Sequence, residues 1–407
     1  MLTFDSVKKT NKTLEKTSII FGYVMDSFFL PSFAFFMLPM LSVFFSNTGN
    51  EYVPYLLFGI GYLARPFGGY LFGYLGDKYG ARTSLVFSLL LSSVATLMIA
   101  FLPDSEGGMV VAQAGIFLLR FLQGVGSGNT ISLLAVYYKK NKAYKSGFIA
   151  GMTLSLGISG FLLAKVLSVY GVSNYGFGWR APFLIAGILG LFAVFLRYKY
   201  IEQPTGVSSF FELKIKNLFI DYKKSSYLTI LITGMFLMPL YISIFSLNKF
   251  VRTDHVEGFL FENIIVNLLV MMAAFLFFGY NFEKMKIGSY KKQIIWAHVL
   301  LPFFFLIKDF LHSPVYTYAV QIVFLSINAL FLLYYFSYIP ELFPKSIRYR
   351  AVGLNYAIGY AAIGGTCMVA FQYLDSLSND CNFSAFLIAG VALLILKAEQ
   401  KVKTYRE

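Results

Sequence analysis

Asp26 and Arg120 are ionisable residues set deep inside apolar runs, and Arg65 and Lys165 are two more. A charge in hydrocarbon is costly unless paired, so such residues are kept for moving protons or holding a charged solute. If Asp26 and Arg120 face one another, the guanidinium favours the ionised acid, and its release or a competing anion favours proton uptake. That is the chemistry of proton coupling; the plainer alternative is a static ion pair tying two helices together. A second constellation is Gly73-Tyr-Leu-Gly-Asp77-Lys78-Tyr-Gly80-Ala-Arg82, an acid and two cations among small residues between two apolar runs. Its glycines let helices close up, Asp77 can accept from the N–H groups of a helix start, and Lys78 and Arg82 can hold phosphate headgroups or carboxylates.

The elements that must position these groups are read from composition. The chain has 407 residues, 57% hydrophobic and only 13% charged, more apolar surface than one soluble core can hide. Apolar runs near 20 residues recur, the length at which an α-helix crosses roughly 30 Å of hydrocarbon. Twelve segments are predicted, at 18–45, 53–76, 83–103, 109–137, 146–169, 181–199, 226–248, 259–281, 293–311, 314–338, 350–372 and 383–397. Asp26 and Arg120 then lie about nine and eleven residues into segments one and four, which at 1.5 Å per residue puts both in the middle third of the membrane. Arg65-Pro66 is expected to break segment two and to bond freed carbonyls, or to contact substrate. Lys165 is expected to extend its ammonium to the interface.

A soluble enzyme is excluded by this composition. No Gly-xxxx-Gly-Lys-Ser/Thr occurs, which argues against ATP-driven transport, and Gly124-x-Gly126-x-Gly128 lies inside an apolar run with no strand before it. Cys367 and Cys381 support neither a disulfide nor a metal site, so no metal and no cofactor is expected. The net charge of +14 is explained by sorting rather than by nucleic acid. Of the 34 Lys and Arg residues, 27 fall on one set of alternate loops, among them Arg197, and four on the other. The positive-inside rule puts that first set, and both termini, on the cytoplasmic side of an inner membrane.

Residues 200–225 form the longest polar stretch and read as a linker. The chain then divides into a cytoplasmic N-terminal segment (1–17), a six-helix half (18–199), the linker, a second six-helix half (226–397) and a cytoplasmic tail (398–407). A weak repeat supports the halves: Gly73 corresponds to Gly279, and Gly147 to Gly353, both at an offset of 206. Repeats in parallel orientation imply an axis along the membrane normal with a solute site between the halves.

With this layout, Gly73…Arg82 resembles the loop 2–3 motif of the major facilitator superfamily. Leu63-Ala-Arg65-Pro66-Phe-Gly68-Gly69, Arg120-Phe-Leu-Gln123-Gly124 with Gly128, Trp179-Arg180-Ala-Pro182-Phe183, and Glu341-Leu-Phe-Pro344 with Arg348 are similar to the metabolite:proton symporter branch, which includes proline/betaine and organic-acid importers. In that branch segment four continues Gly-Gly-Glu where this chain has Gly128-Asn129-Thr130, segment one usually carries two acids where Asp26 stands alone, and Ala81 replaces an arginine.

The resemblance implies an all-α integral membrane fold of twelve helices in two pseudo-symmetric six-helix bundles, working as a monomer by alternating access among membrane lipids. It implies secondary active transport, with protons, of a small-molecule substrate. The excess of cations over acids favours a carboxylate-bearing one: an organic acid, an amino acid or a betaine. Candidate substrate contacts are Arg65, Gln123, Asn129, His298, Asn328 and Tyr356, with Asp26 and Arg120 for proton coupling and Gly73, Asp77, Lys78, Gly80 and Arg82 for the gate. His298 invites a proton-relay reading, and the reading more often met for such a residue is an interhelical hydrogen bonder. A polycarboxylate siderophore transporter, a drug efflux carrier and a transporter-like receptor without turnover stay open as alternatives.

Overall fold

In the computed structural model, residues 4–45, 53–103, 109–140, 147–173, 178–202, 215–241, 256–285, 291–311, 314–364, 366, 382–400, 402 and 404 are described. They form helices and turns, with no strand among them. Cys367, Gln372, Cys381 and residues 203–214 of the linker lie outside the described residues.

Each predicted segment meets a helix. Segment one is α1 (Phe4–Phe44), two is α2 (Val53–Leu63) with α3 (Arg65–Tyr79), three is α4 (Ala81–Ile99), and four is α5 (Met109–Ser127) with α6 (Thr130–Lys140). Five and six are α7 (Gly147–Ser173) and α8 (Arg180–Tyr200); a short α9 (Ile215–Asp221) precedes α10 (Lys223–Tyr241), α11 (Val256–Asn281), α12 (Lys291–Leu311) and α13 (Pro314–Tyr338). Segment eleven is α14 (Arg348–Gly359) running into a π-helical turn (Tyr360–Gly364), and twelve is α15 (Asn382–Glu399). Among the described residues, six helices are long and apolar enough to cross a membrane. Helix α1 starts well before the span predicted at 18, because the Lys, Thr and Glu residues ahead of it continue the helix without a breaker.

Two helices are broken where the site will be built. Pro66 stands in the first turn of α3, and because it has no N–H and crowds the turn behind it, segment two is interrupted at Ala64. Segment four is interrupted at Gly128-Asn129, where the Gly128 N–H reaches back only to Val125 O, 3.2 Å away. The two breaks touch: a Cβ on Gly128 would lie 2.5 Å from Arg65 O and 3.0 Å from Arg65 Cα. Gly80, between α3 and α4, has φ +92°, in the region that favours glycine.

The chain separates into two compact units that do not follow chain order. One contains Met1–Leu134, Leu156–Phe211 and Lys345–Ala357, the other Ala135–Ser155, Glu212–Pro344 and Ile358–Glu407. In the first, aromatic side chains fill the end near Trp179, whose ring meets Phe44 at 5.3 Å and Phe183 at 6.1 Å. The Arg180 guanidinium lies over Trp179 and donates to Leu102 O at 2.8 Å, which gives the Trp179-Arg180 motif a fastening role at the start of α8.

Candidate functional site

Among the ionisable side chains that the first unit buries inside its helices are Asp26, Arg65, Arg120 and Arg197. Arg120 and Arg197 are completely buried, and Asp26 is 6% exposed. The structure does not bring Asp26 and Arg120 together. Instead Asp26 Oδ2 lies 3.9 Å from Arg197 Nη1 and accepts a hydrogen bond from Thr130 Oγ1 at 2.7 Å. Arg197, which the sorting of cations assigns to a loop, sits in the last turn of α8 and donates to Leu85 O at 3.0 Å and Ile19 O at 3.4 Å. It reaches α1 because Gly22 presents no side chain there; a Cβ on Gly22 would lie 2.5 Å from the guanidinium carbon.

Arg120 forms a separate chain of contacts. Nη1 donates to Gln123 Oε1 at 2.5 Å, Gln123 Nε2 donates to Thr96 Oγ1 at 2.8 Å, and the guanidinium lies 4.2 Å above the Phe33 ring. Arg120 Nη2 and Asp26 Oδ1 are buried with no hydrogen-bond partner among the described residues. Buried donors and acceptors of this kind are normally satisfied, so both groups have binding capacity left over. Arg65 is buried with its guanidinium 5.3 Å from the Tyr62 ring. Asn129, at the break in segment four, donates to Gly69 O at 3.4 Å. Lys165 is partly buried with Nζ over Phe35, at 5.5 Å.

The acid-and-cation turn is also in this unit. Asp77, beyond the end of the second predicted span, caps the start of α14: Oδ1 accepts from the Tyr349 N–H at 2.9 Å, and Oδ2 from the Arg350 N–H at 3.2 Å and Nε at 2.9 Å. It thus satisfies orphan donors of a helix start 272 positions away in the chain. Burial pushes its carboxyl up to about 6, and the Arg350 guanidinium and the two amides pull the other way. The fit depends on glycine, since a Cβ on Gly73 would lie 2.6 Å from Arg350 Cα. Lys78 Nζ donates to the Tyr74 hydroxyl at 3.2 Å, and Arg82 donates to Tyr198 O with its guanidinium over the Tyr198 ring.

The polar residues of the second unit are fewer. His298 is fully buried, with Nδ1 2.9 Å from Ile294 O and its ring against Phe324 and Phe331. That carbonyl fixes the proton on Nδ1. Asn328, also buried, donates to Phe236 O at 3.1 Å. Lys139 and Glu341 form an ion pair, and Tyr335 donates to Glu399 Oε1 at 2.6 Å. Tyr356 is buried in the first unit. The sequence reading missed Arg197, Thr130 and Arg350 as partners. The available signal for Arg197 was its position inside the predicted span 181–199.

Long apolar helices enclosing charged side chains define an integral membrane protein of the transporter class. The Major Facilitator Superfamily profile matches residues 18–366, and the chain belongs to that family. Its fold is therefore all-α, twelve membrane-spanning helices in two pseudo-symmetric six-helix bundles. A Staphylococcus aureus protein named for proline/betaine transport is 27% identical over 95% of this chain and 87% of its own length. The ectoine/proline transporter ProP of Corynebacterium glutamicum is 25% identical over 97% and 86%, and the alpha-ketoglutarate permease of Escherichia coli is 26% identical over 89% of each. Among solved structures, the proton:xylose symporter XylE superposes with a TM-score of 0.76 at 14% identity, covering 98% of this chain and 97% of that one. These relatives are transporters and permeases, and this chain is a transporter rather than an enzyme.

Proposed function

We propose that the chain takes up a small carboxylate-bearing metabolite, an organic acid, amino acid or betaine, together with protons and by alternating access. The observation that carries this reading is the fully buried Arg120 guanidinium, whose Nη2 has no partner among the described residues. A guanidinium held in a dry site is suited to a carboxylate, which it can take with paired, charge-assisted hydrogen bonds. Among the described residues of the first unit, five buried arginines against three buried acids leave the set net positive, and an anionic group on the solute offsets that excess. Asp26 is the proton carrier: Arg197 is the cation beside its Oδ2, and Oδ1, which has no hydrogen-bond partner among the described residues, is where a proton binds. The solutes named for the relatives, proline, betaine, ectoine and alpha-ketoglutarate, all bear a carboxylate, which supports the same class.

Arg65, Gln123 and Asn129 complete the substrate side of the first half, with His298, Asn328 and Tyr356 as contacts from the second. The halves are 18–199 and 226–397, the protein works as a monomer, and the sorting of cations supports cytoplasmic termini.

The test is uptake into proteoliposomes under an inward proton gradient, with proline, betaine, ectoine and alpha-ketoglutarate offered in turn. Wild type accumulates at least one of them against its gradient, and Asp26→Asn loses accumulation while retaining counterflow. Undiminished accumulation by Asp26→Asn would sink the assignment of the proton.

A further inference from the structure

The second unit has a cleft of about 260 Å³ between the start of α10 and the end of α15, lined by Lys224, Tyr227, Leu394, Lys397 and Ala398. The buried charges proposed to handle solute and proton belong to the first unit. Lys224 and Lys397 are both exposed, one on each wall. Below them, toward the middle of the helices, Tyr227 and Leu394 are 47% and 44% exposed. Cations above an aromatic and an aliphatic side chain are the arrangement of a helix end at the boundary between headgroups and hydrocarbon.

The surroundings reinforce the charge. Lys223 adjoins Lys224, and the short α9 just ahead adds Lys216 and turns Ile215 and Ile220 outward, at 45% and 60% exposure, as a helix lying in the interface does. Asp221, an exposed acid, closes α9. Glu399, the carboxylate nearest Lys397 in the chain, is turned away from the cleft, accepting from Tyr335 at 2.6 Å and lying 3.5 Å from Lys291 Nζ. Among the described residues no acid lines the cleft to neutralise its two lysines.

We propose that this cleft holds one anionic phospholipid, its phosphate between the ammonium groups of Lys224 and Lys397 and an acyl chain along Tyr227 and Leu394. Two cations spaced across a cleft match a phosphodiester, and the apolar floor distinguishes a lipid from free phosphate. The inference is independent of which solute is carried.

The experiment is native mass spectrometry of the purified full chain in detergent, titrated separately with phosphatidylglycerol, phosphatidylcholine and inorganic phosphate. Wild type is expected to retain one phosphatidylglycerol at concentrations where phosphatidylcholine is stripped and phosphate leaves no adduct. Lys224→Gln and Lys397→Gln should each weaken that adduct about fivefold and the double variant about 25-fold, since each lysine near an anionic surface contributes about a factor of five. Lys292→Gln, an exposed lysine outside the cleft, should leave it unchanged. All three positions are exposed, so the variants fold, and an unchanged melting temperature verifies it. The proposal is overturned if the double variant keeps the adduct, if phosphatidylcholine binds as tightly, or if inorganic phosphate alone occupies the site.

Discussion

Asp26 should be energetically coupled to Arg197 and not to Arg120, and a pair of double-mutant cycles can show it. At the observed 3.9 Å between Arg197 Nη1 and Asp26 Oδ2, two unit charges attract by about 4 kcal/mol at an effective dielectric constant of 20. Removing one partner of a buried pair leaves the other uncompensated and costs about 3–5 kcal/mol. Asp26→Asn strands the Arg197 guanidinium. Arg197→Gln strands the carboxylate and also gives up the donations to Leu85 O and Ile19 O, so it should be the more damaging single change. The double variant removes both charges, and its loss should fall short of the sum of the singles by about 2–4 kcal/mol.

The Asp26→Asn and Arg120→Gln pair has no contact to lose. Arg120 instead holds Gln123, which continues to Thr96, and its coupling to Asp26 should stay below about 1 kcal/mol, as expected for groups with no shared contact. The assay is denaturant unfolding of the purified protein in micelles at about pH 8, where a carboxylate with a cationic neighbour is ionised. Additive behaviour of Asp26 and Arg197, or a stronger coupling of Asp26 to Arg120, would refute the pairing and with it the placement of the proton on Asp26.

Two further perturbations probe the helix ends. Burial raises the Asp77 carboxyl from 3.8 to about 6 in the folded protein, so protonation favours the folded state: this group's contribution is fully present below pH 3.8 and is lost as pH rises through about 6. Between pH 7 and pH 5 wild type should therefore gain about 1 kcal/mol relative to Asp77→Asn, measured as the pH dependence of unfolding for both proteins; parallel curves would remove Asp77 as the titrating group. Gly69→Leu and Gly151→Leu should each reduce uptake at least about tenfold, because overpacking a close contact costs about 1–3 kcal/mol. A Cβ there would lie 2.6 Å from Gly353 O and 2.8 Å from Gly279 Cα respectively. Gly59→Ala and Gly390→Ala, where a Cβ meets nothing within 4 Å, are controls that should leave uptake intact.

The parts of this protein legible in its sequence are those set by local chemistry. Pro66 breaks its helix wherever the helix lies, so the interruption of segment two at Ala64 follows from the residue alone. The second break, at Gly128-Asn129, has only a glycine to mark it and was not read. Pairing depends on which faces meet, and depth cannot supply that. The sequence predicts Asp26 and Arg120 at one level in the membrane, yet the acid meets Arg197 from α8, near the end of a predicted span, because Gly22 opens the surface of α1 to it. Likewise the Asp77 motif announces an acid that needs donors, while the donors at Tyr349 and Arg350 lie in the other half of the sequence.

The offset of 206 between the halves, read from two glycines, recurs in the contacts themselves. In the first unit a Cβ on Gly69 would lie 2.8 Å from Ala357 Cβ; moved by 206, that pair becomes Phe275 and Gly151, and in the second unit Gly151 presses on Phe275 O. Each unit therefore takes in the start of a helix from the opposite half, through a close approach at a glycine. Among the described residues the ionic fastening is not repeated. Asp77 is buried against Arg350, whereas its counterpart Glu283 is exposed. One ion pair of the second unit is Lys139 with Glu341, whose side chains keep 21% and 17% exposure. Salt screens a partly exposed pair and barely reaches a buried one, while a proton reaches the buried acid at about pH 6. Shared backbone geometry thus carries two electrostatic locks of different kinds, one answering to pH and the other to ionic strength.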